Sequence, residues 1–251
     1  MAMLRDGDLA AAFDHAAPTY DLMTSASPGY VAHLRRSARR LGLPHGGAGL
    51  TVLDLGCGTG TSTRALLHAA PLATVIGVDA SAGMLAHARA KTWPDGVSFV
   101  HASVESMEEV EANGPYDAVF AAYLLRNVAD PDVVLRDIHG LLRPGGRLSV
   151  HEYSLGRRRR DRLVWKSVIN GFVLPWARLN GNAALYQHLH HSVMRFDTTD
   201  ALTERMRRAG FARVRCLPMP GWQTGITHTF VAERPTLGPP ASISADERTT
   251  A

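Results

Sequence analysis

Short apolar runs rich in β-branched residues alternate along this chain with amphipathic segments. Strand signals lie at Thr51–Leu55, Thr74–Asp79, Val97–His101, Asp117–Ala121 and Arg147–Tyr153. The spacing of apolar residues between them predicts helices over Thr61–His68, Ala82–Ala90 and Asp132–Leu142. This alternation is typical of a mainly parallel sheet with right-handed crossovers.

Two later strand signals, Ala212–Leu217 and Gly225–Ala232, lie on either side of the turn residues 219–222. Strands joined by so short a segment pair in antiparallel fashion. A helix is predicted just before them, over Thr199–Ala209. We therefore expect the sheet to end in one reversed strand. Earlier in the chain, the segment 142–146 (Leu-Arg-Pro-Gly-Gly) predicts a helix stop and a turn into the fifth strand.

About 45 residues separate the fifth strand from the helix at Thr199–Ala209, which is long for a plain connection. Apolar residues recur there at helical spacing from Leu163 to Leu174, and we expect Pro175 to end that helix. The run predicts either a helix packed on the core or a cap over a substrate pocket, and its place at the carboxyl edge of the sheet favours the cap. The expected fold class is α/β: a Rossmann-like, seven-stranded, mostly parallel sheet with one antiparallel strand, helices on both faces and a helical cap insertion.

The domain organisation follows from these elements. Residues 51–234 form the main domain, with the cap insertion at about 155–198, and residues 1–50 form an N-terminal helical segment. Residues 235–251 are rich in Pro, Ser, Thr and Ala, which predicts a disordered tail.

Composition excludes several classes of protein. Hydrophobic residues make up 45% and charged residues 20% of the chain, as in ordinary globular proteins, and the formal net charge is +4. The sequence lacks a basic stripe interleaved with aromatic residues, so we expect no nucleic-acid binding. The one dense basic run, Arg157–Arg160, predicts either a solvated helix start or contact with phosphate or an anionic membrane surface.

Cysteine usage and hydropathy bear on the compartment. The chain has two cysteines, Cys57 and Cys216, which fits a reducing environment. The N-terminus carries Asp6 and Asp8 and lacks a signal-peptide core, and no uncharged apolar run reaches the roughly 18 residues of a membrane span. We expect a cytoplasmic protein.

The segment Leu53–Gly60 (Leu-Asp-Leu-Gly-Cys-Gly-Thr-Gly) joins the first strand to the first helix of the sheet. Glycines in such a turn let the backbone approach a ligand, and the carboxyl end of a parallel strand is where open α/β sheets bind nucleotide-like cofactors. The spacing differs from the dinucleotide fingerprint G-x-G-x-x-G. With Asp54 two residues before Gly56, it resembles the S-adenosyl-L-methionine (SAM) loop of class I methyltransferases, whereas the plainer alternative is an ordinary βα turn.

Asp79 ends the second strand about 20 residues beyond these glycines, the place where a nucleotide-binding unit puts an acid for the ribose hydroxyls. The alternative is that Asp79 caps the next helix, but Ser81 is the better cap candidate.

Several segments outside the glycine loop are more specific. The chain resembles the menaquinone/ubiquinone C-methyltransferase family over nearly its whole length, to about residue 234. The segments that carry the resemblance are Leu53–Gly60, Pro115–Ser154 with its Leu125–Val128 and Glu152–Ser154 stretches, Phe13 with Tyr20–Met23, and Gly225–His228.

The resemblance implies SAM as cofactor, S-adenosylhomocysteine as product, and an N-terminal segment that folds over the cofactor. Ser103 stands where the family carries an acid for the adenine amino group. The positions carried over as cofactor-binding are Tyr20, Asp54, Gly56, Cys57, Gly58, Thr59, Gly60, Asp79, Ala80, Met84, Ser103, Val104, Tyr123 and Asn127.

Methyl transfer from a sulfonium needs alignment of the nucleophile, the methyl group and the sulfur. A carbon nucleophile must also be made electron-rich by loss of a neighbouring hydroxyl proton, which calls for a base or for a cation that stabilises the oxyanion. Candidates near the ends of the fourth and fifth strands are Tyr123, Arg126, Asn127, His151 and Tyr153. The catalytic candidates chosen are His151, Tyr123, His191 and His228, with His151 alternatively a core histidine.

Three histidines, His188, His190 and His191, raise the question of a metal site. No cysteine or paired acid lies nearby in the sequence, so we expect no metal. The alternative is that one of them reaches the substrate pocket together with His228.

The predicted function is SAM-dependent methylation, most directly of carbon in a quinol-like, aromatic or enolisable small molecule. The alternatives are O- or N-methylation of a secondary metabolite, and a cyclase or other non-methylating protein of this fold. Expected partners are a small-molecule acceptor, a membrane surface in weak contact and a second copy of the chain, but no nucleic acid.

Overall fold

The strands predicted from the sequence are present in the computed structural model, which describes residues 6–27, 29–106, 110, 114–156, 158–179 and 183–236. The strands are Thr51–Leu55 (β1), Thr74–Asp79 (β2), Val97–His101 (β3), Tyr116–Ala122 (β4), Leu142–Tyr153 (β5), Ala212–Pro218 (β6) and Thr227–Glu233 (β7). Most of the predicted tail, residues 237–251, lies outside the described residues, as does Arg157 of the arginine run.

The seven strands form one sheet in the order β3-β2-β1-β4-β5-β7-β6. Strands β1 to β5 pair in parallel, and β7 runs antiparallel to both β5 and β6. The single reversed strand is confirmed, but the expectation that it ends the sheet is wrong. β7 is buried over all but its last residue, whereas β6 exposes Arg213 and Arg215. The apolar strand therefore takes the inner position and the basic strand the edge.

Nine helices are seen in the described residues, besides short 3-10 turns and one π turn. They are Asp6–Ala26 (α1), Tyr30–Arg40 (α2), Thr61–Ala69 (α3), Ala82–Arg89 (α4), Pro131–Leu141 (α5), Arg159–Val168 (α6), Leu174–Leu179 (α7), Ala183–Arg195 (α8) and Thr199–Arg208 (α9). None of these helices is long and apolar enough to cross a membrane.

Two local expectations differ from the structure. Pro175 does not end the cap helix, because a π turn over Ile169–Val173 continues into α7 and the proline lies in its first turn, where the missing N–H is tolerated. The segment 142–146 belongs to β5, with a register shift between the Tyr116–Leu142 and Ala118–Arg147 pairs. The turn that we expected at 142–146 is thus an irregularity of the β4–β5 ladder.

The two central strands, β1 and β4, are covered on both faces. Leu53 and Val119 belong to the cluster that includes α5 and α9, and Val52 and Phe120 to the cluster that includes α2 and α3. Their carboxyl ends are consequently held in place by packing on either side, which gives a rigid base for a site at that edge.

The cap has a small core of its own over the carboxyl edge of the sheet. Trp165 and Ile169 pack with Val193 of α8 and with Ile226, which precedes β7. Helix α1 joins it through a cluster of Leu9, Ala16 and Leu185.

Candidate functional site

The glycine loop between β1 and α3 is built on left-handed backbone. Gly56, Gly58 and Gly60 have φ angles of 71°, 55° and 86°, a region that costs side chains other than glycine energy. A Cβ on Gly58 would meet nothing within 4 Å, whereas a Cβ on Gly60 would lie 2.7 Å from the Trp93 ring. Gly58 therefore faces open space, while Gly60 allows the loop to pack on Trp93.

A cavity of about 450 Å³, here called the loop cavity, opens above this turn. It lies where β1 has β2 on one side and β4 on the other, the topological switch point at which α/β sheets bind ligands. Its lining includes these predicted residues: Tyr20, Gly56, Cys57, Gly58, Thr59, Asp79, Ala80, Met84, Ser103, Val104, Tyr123 and Asn127. Asp54 and Gly60 are outside the lining.

Asp54 lies beneath the loop and is fully buried. One carboxylate oxygen accepts hydrogen bonds from Ser62 Oγ (2.8 Å) and Thr63 Oγ1 (2.7 Å), and the other has no partner. Burial raises its pKa to about 7, against the two hydroxyl donors. These contacts connect the end of β1 to the start of α3. Asp54 therefore supports the glycine loop from beneath and does not line the cavity.

Asp79 lies on the floor of the loop cavity. Its carboxylate accepts hydrogen bonds from the backbone N–H groups of Gly58 (2.8 Å) and Ser81 (2.9 Å). Burial raises the pKa of Asp79, and these two donors oppose the rise. Ser81 caps α4 by accepting from the Met84 N–H, which leaves Asp79 free for a ligand.

Helix α1 is tied across the loop cavity at two points. Asp14 accepts hydrogen bonds from Ser81 Oγ and from the Gly83 N–H (2.8 Å) at the start of α4. About two helical turns further along α1, Asp21 pairs with Lys91 at 2.6 Å and accepts from the Thr59 hydroxyl of the glycine loop. The N-terminal helix thus forms one wall of the loop cavity.

A second cavity of about 210 Å³, here called the aromatic cavity, lies between α1, α2 and the cap. Its aromatic lining consists of Phe13, Tyr20, Tyr30, Tyr123, Tyr153, Trp165, Trp176, Tyr186 and Trp222. Phe13, Tyr20, Tyr30, Tyr123, Arg126 and Asn127 line both cavities. The two cavities therefore meet at these side chains, and a planar aromatic molecule suits the second.

Arg126 places a buried positive charge at this junction. Its Nη1 donates to Glu152 Oε1 (2.6 Å) and to the carbonyl oxygen of Tyr123 (2.7 Å), whereas its Nε has no partner. The guanidinium lies 5.3 Å from the Tyr123 ring centroid and 5.5 Å from that of Tyr153. Burial lowers the pKa of Arg126, but Glu152 and Tyr153 more than offset it and the net shift is upward.

Tyr123 follows the last residue of β4 with a φ angle of 59°, unusual for a bulky side chain. The conformation is held by the backbone bond from Tyr123 N to His151 O (2.7 Å) and by Asn127 Nδ2, which donates to the Tyr123 carbonyl (3.0 Å). Strain retained in this way is common where a side chain must point into a site. Here it turns the ring toward the junction, stacked on Tyr30.

Residues 1–230 match the ubiE/COQ5 methyltransferase family. This chain belongs to that family. It is a methyltransferase whose cofactor is SAM.

Two relatives and one solved structure illustrate the range of similar proteins. The chain is 33% identical over 226 residues to demethylmenaquinone methyltransferase of Thermus thermophilus, covering 89% of this chain and 100% of that one. It is 30% identical to 2-phytyl-1,4-naphtoquinone methyltransferase of Thermosynechococcus vestitus, covering 88% and 97%. The crystal structure of the [4+2]-cyclase SpnF, 16% identical, has a TM-score of 0.66 over 94% of this chain and 98% of that one, which shows a shared fold alone.

Among the histidines of this ubiE/COQ5 family member, His188 reaches the aromatic cavity. It lies on α8, and its Nε2 is 3.2 Å from Asn127 Oδ1. Because an amide oxygen can only accept, Nε2 carries the hydrogen, and the buried Nδ1, which has no partner, is an acceptor. Burial lowers the pKa of His188 to about 4, so the ring is neutral at pH 7.

The other catalytic candidates lie away from the cavity surface. His191 is exposed on α8, and His228 is buried in β7, where burial lowers its pKa to about 4. His151 is fully buried behind Tyr123, with a pKa lowered by burial to about 3. Tyr123 is the only one of the four predicted catalytic side chains that lines a cavity within the described residues. The histidine that we expected at the pocket is His188 instead of His191, and the described residues contain no group of three or more His, Cys, Asp or Glu side chains placed to hold a metal.

Several aromatic residues that line the aromatic cavity were not predicted as site residues from the sequence, notably Tyr30, Trp176, Tyr186 and Trp222. Tyr30 opens α2 and Trp222 lies in the corner between β6 and β7. Both are brought to the cavity by packing between distant elements. Their only local signal is a large aromatic residue at an element boundary.

Proposed function

We propose that this protein methylates a ring carbon of a prenylated quinol of the naphthoquinol type. The names of the relatives support the acceptor class, and the aromatic cavity supplies a surface for a flat ring. The single observation that carries the proposal is the buried Arg126 cation, which lies where the two cavities meet and keeps an unpartnered donor.

We infer that SAM occupies the loop cavity. Its sulfonium-bound methyl group supplies the electrophile. The volume suits a nucleoside joined to an amino acid, Asp79 offers a carboxylate to ribose hydroxyls, and the space above Gly58 permits close approach of the ligand to backbone. Ser103 and Val104, at the β3 side, would border the adenine, and Tyr20 and Asn127 would border the methionine end.

Arg126 is assigned to the oxygen of the acceptor. A quinol carbon becomes nucleophilic as the neighbouring hydroxyl loses its proton, and a cation in a water-poor pocket stabilises the resulting oxyanion. Neutral His188 lines the same cavity and has an unpartnered acceptor nitrogen, so we assign it to orient the hydroxyl through a hydrogen bond. Arg126 and His188 thereby offer one donor and one acceptor to the oxygens of the ring.

The test is methyl transfer to reduced 2-phytyl-1,4-naphthoquinone by the wild type and by Arg126→Lys and Arg126→Gln. We expect kcat to fall at least about a hundredfold in the glutamine variant, as when a preorganised donor to an oxyanion is removed. The matched control is Arg143→Gln, which breaks an exposed Arg–Asp pair of similar length (2.7 Å to Asp117). Wild-type turnover in Arg126→Gln would contradict the role of the cation, and a methyl group on oxygen or nitrogen would favour the alternative acceptors.

We also propose that the protein is cytoplasmic and touches a membrane surface when it takes up its acceptor. Trp176 and Trp222 line the aromatic cavity and are 44% and 40% exposed. Leu163 and Leu179 of the cap are 68% and 85% exposed, and the exposed Arg158–Arg160 stretch opens the same cap. Apolar side chains next to basic ones are what an anionic bilayer surface binds.

Flotation with anionic vesicles at low salt would test this contact. We expect Leu179→Ser to reduce binding and Leu72→Ser, at a leucine between α3 and β2 that is 65% exposed, to leave it unchanged. Absence of wild-type flotation would remove the membrane contact. The homodimer stays a prediction.

A further inference from the structure

A chain of buried polar side chains runs from the surface of the sheet to the junction of the two cavities. Arg40 Nη1 lies 2.7 Å from Thr229 Oγ1, which lies 2.7 Å from Ser37 Oγ. Ser37 Oγ is 2.8 Å from His151 Nδ1, and His151 Nε2 is 2.9 Å from the Tyr123 hydroxyl. Ser37, His151 and Thr229 are fully buried, so water does not compete for these bonds.

The direction of this chain is set at its outer end. A guanidinium can only donate, so Thr229 Oγ1 accepts from Arg40. Among the contacts of the described residues, Ser37 Oγ is the one acceptor in reach of the Thr229 hydroxyl hydrogen, which therefore turns to Ser37. Ser37 then accepts from Thr229 and donates to His151 Nδ1. Arg40 is itself fixed by bonds to the carbonyl oxygens of Leu217 (2.9 Å) and Pro218 (2.9 Å).

The same logic fixes the state of His151. With Nδ1 accepting from Ser37, the neutral ring carries its hydrogen on Nε2 and donates it to the Tyr123 hydroxyl. The Tyr123 hydroxyl therefore directs its own hydrogen away from His151, on the side of the neighbouring Tyr153, whose ring centroid lies 4.7 Å from that of Tyr123. Tyr153 lines the aromatic cavity.

We infer that Arg40, Thr229, Ser37 and His151 form a directed chain of donors that holds the Tyr123–Tyr153 pair as hydrogen-bond donors toward the oxygen of the acceptor. His151 is thereby a positioning residue that acts through Tyr123, and it does not take up a proton. The functional half of this inference rests on the proposed function, because the donors and Arg126 face the same developing oxyanion. The tautomer does not depend on the acceptor.

The first test is nitrogen NMR on full-length protein labelled with ¹⁵N-histidine, with His151 assigned by loss of its signals in His151→Gln. We expect the protonated nitrogen of His151 to be Nε2 and Nδ1 to show the shift of an acceptor in a hydrogen bond. Ser37→Ala should move the Nδ1 resonance toward that of a free acceptor. Ser149→Ala, which removes a buried hydroxyl that donates only to the Ser37 carbonyl oxygen (3.2 Å), should not. A hydrogen on Nδ1, or a charged ring at pH 7, would overturn the inference.

The second test uses the same variants in steady-state methyl transfer to reduced 2-phytyl-1,4-naphthoquinone. We expect Ser37→Ala to lower kcat about fivefold with KM unchanged, the size expected for one neutral hydrogen bond that matters in the transition state. Ser149→Ala should keep the wild-type kcat. Equal kcat values for both variants would reject the functional role of the hydrogen-bond chain, even where NMR supports its direction. No turnover by the wild type would contradict the proposed acceptor and leave the NMR result on the direction of the chain standing.

Discussion

At the scale of single residues, we propose that cofactor binding depends most directly on Asp79. Its carboxylate is held by two backbone donors at the floor of the loop cavity. Asp79→Asn keeps the shape but removes the charge that accepts hydroxyl hydrogens. We expect the Kd for SAM to rise at least about tenfold, since hydrogen bonds to charged groups contribute about 1.5–3 kcal/mol. Isothermal titration measures it, with the exposed Asp95→Asn as control, and an unchanged Kd would contradict the assignment.

Burial of His188 should make the stability of the folded protein depend on pH. Its pKa in the folded protein is about 4, below the ordinary value of 6.5, because burial, Arg126 and His191 all disfavour the charged ring. Between these two values the unfolded chain binds a proton and the folded chain does not. The wild type therefore loses up to about 1.4 kcal/mol per pH unit as pH falls from 6.5 toward 4.

The variant His188→Gln lacks this loss, so its stability relative to the wild type should improve between pH 7 and pH 5.5. Urea unfolding at the two pH values measures the difference. His87→Gln, at an exposed histidine on α4 away from His188, is the control and should keep the wild-type dependence on pH. A difference between wild type and His188→Gln that stays constant with pH would mean that the pKa of His188 is the same in the folded and the unfolded chain.

The residues of the site were predictable to different degrees. Asp79 and Gly58 could be placed because a strand end and a glycine turn fix their backbone before any tertiary contact forms. His188 and Tyr30 could not, since their positions depend on how α8 and α2 pack over the sheet. His191 was chosen from sequence, but spacing along a helix does not say which side of that helix meets the cavity.

At the scale of elements, α1 is the wall of the loop cavity most easily detached, because it is tied there by few polar contacts. Asp14→Ala removes both bonds to the start of α4. We expect faster amide exchange over residues 6–26 and a several-fold higher Kd for SAM, with thermal stability close to that of the wild type. Asp8→Ala is the control, an exposed acid on the same helix. Unchanged exchange in Asp14→Ala would show that the Asp21 contacts and apolar packing hold the helix without Asp14.

The elements show where local patterns were sufficient. The bounds of β1, β2 and β3 agree with the sequence because β-branched runs and flanking turns specify a buried strand locally. The place of β7 inside the sheet and the continuation of the cap helix past Pro175 were not predicted. Both depend on which of several segments takes a buried position. The pattern of residues along one segment does not determine that.

At the scale of the whole molecule, the loop cavity and the aromatic cavity lie at the same edge of the sheet, with the buried Arg126 between them. The parallel order of β1 to β5 brings the loop after β1 and the ends of β4 and β5 to this edge, and α1, α2 and the cap close it. With SAM in the loop cavity and the acceptor in the aromatic cavity, as we propose, the two ligands would meet only at the junction, where methyl transfer would occur.

The measurement that tests this account most directly is a single incubation with SAM labelled with ¹³C in its methyl group and reduced 2-phytyl-1,4-naphthoquinone. The account predicts S-adenosylhomocysteine and a product whose ¹³C-methyl group is bonded to a ring carbon, seen by carbon NMR and by mass. A methyl group on oxygen, or cofactor binding with no S-adenosylhomocysteine released for any quinol tried, would contradict it.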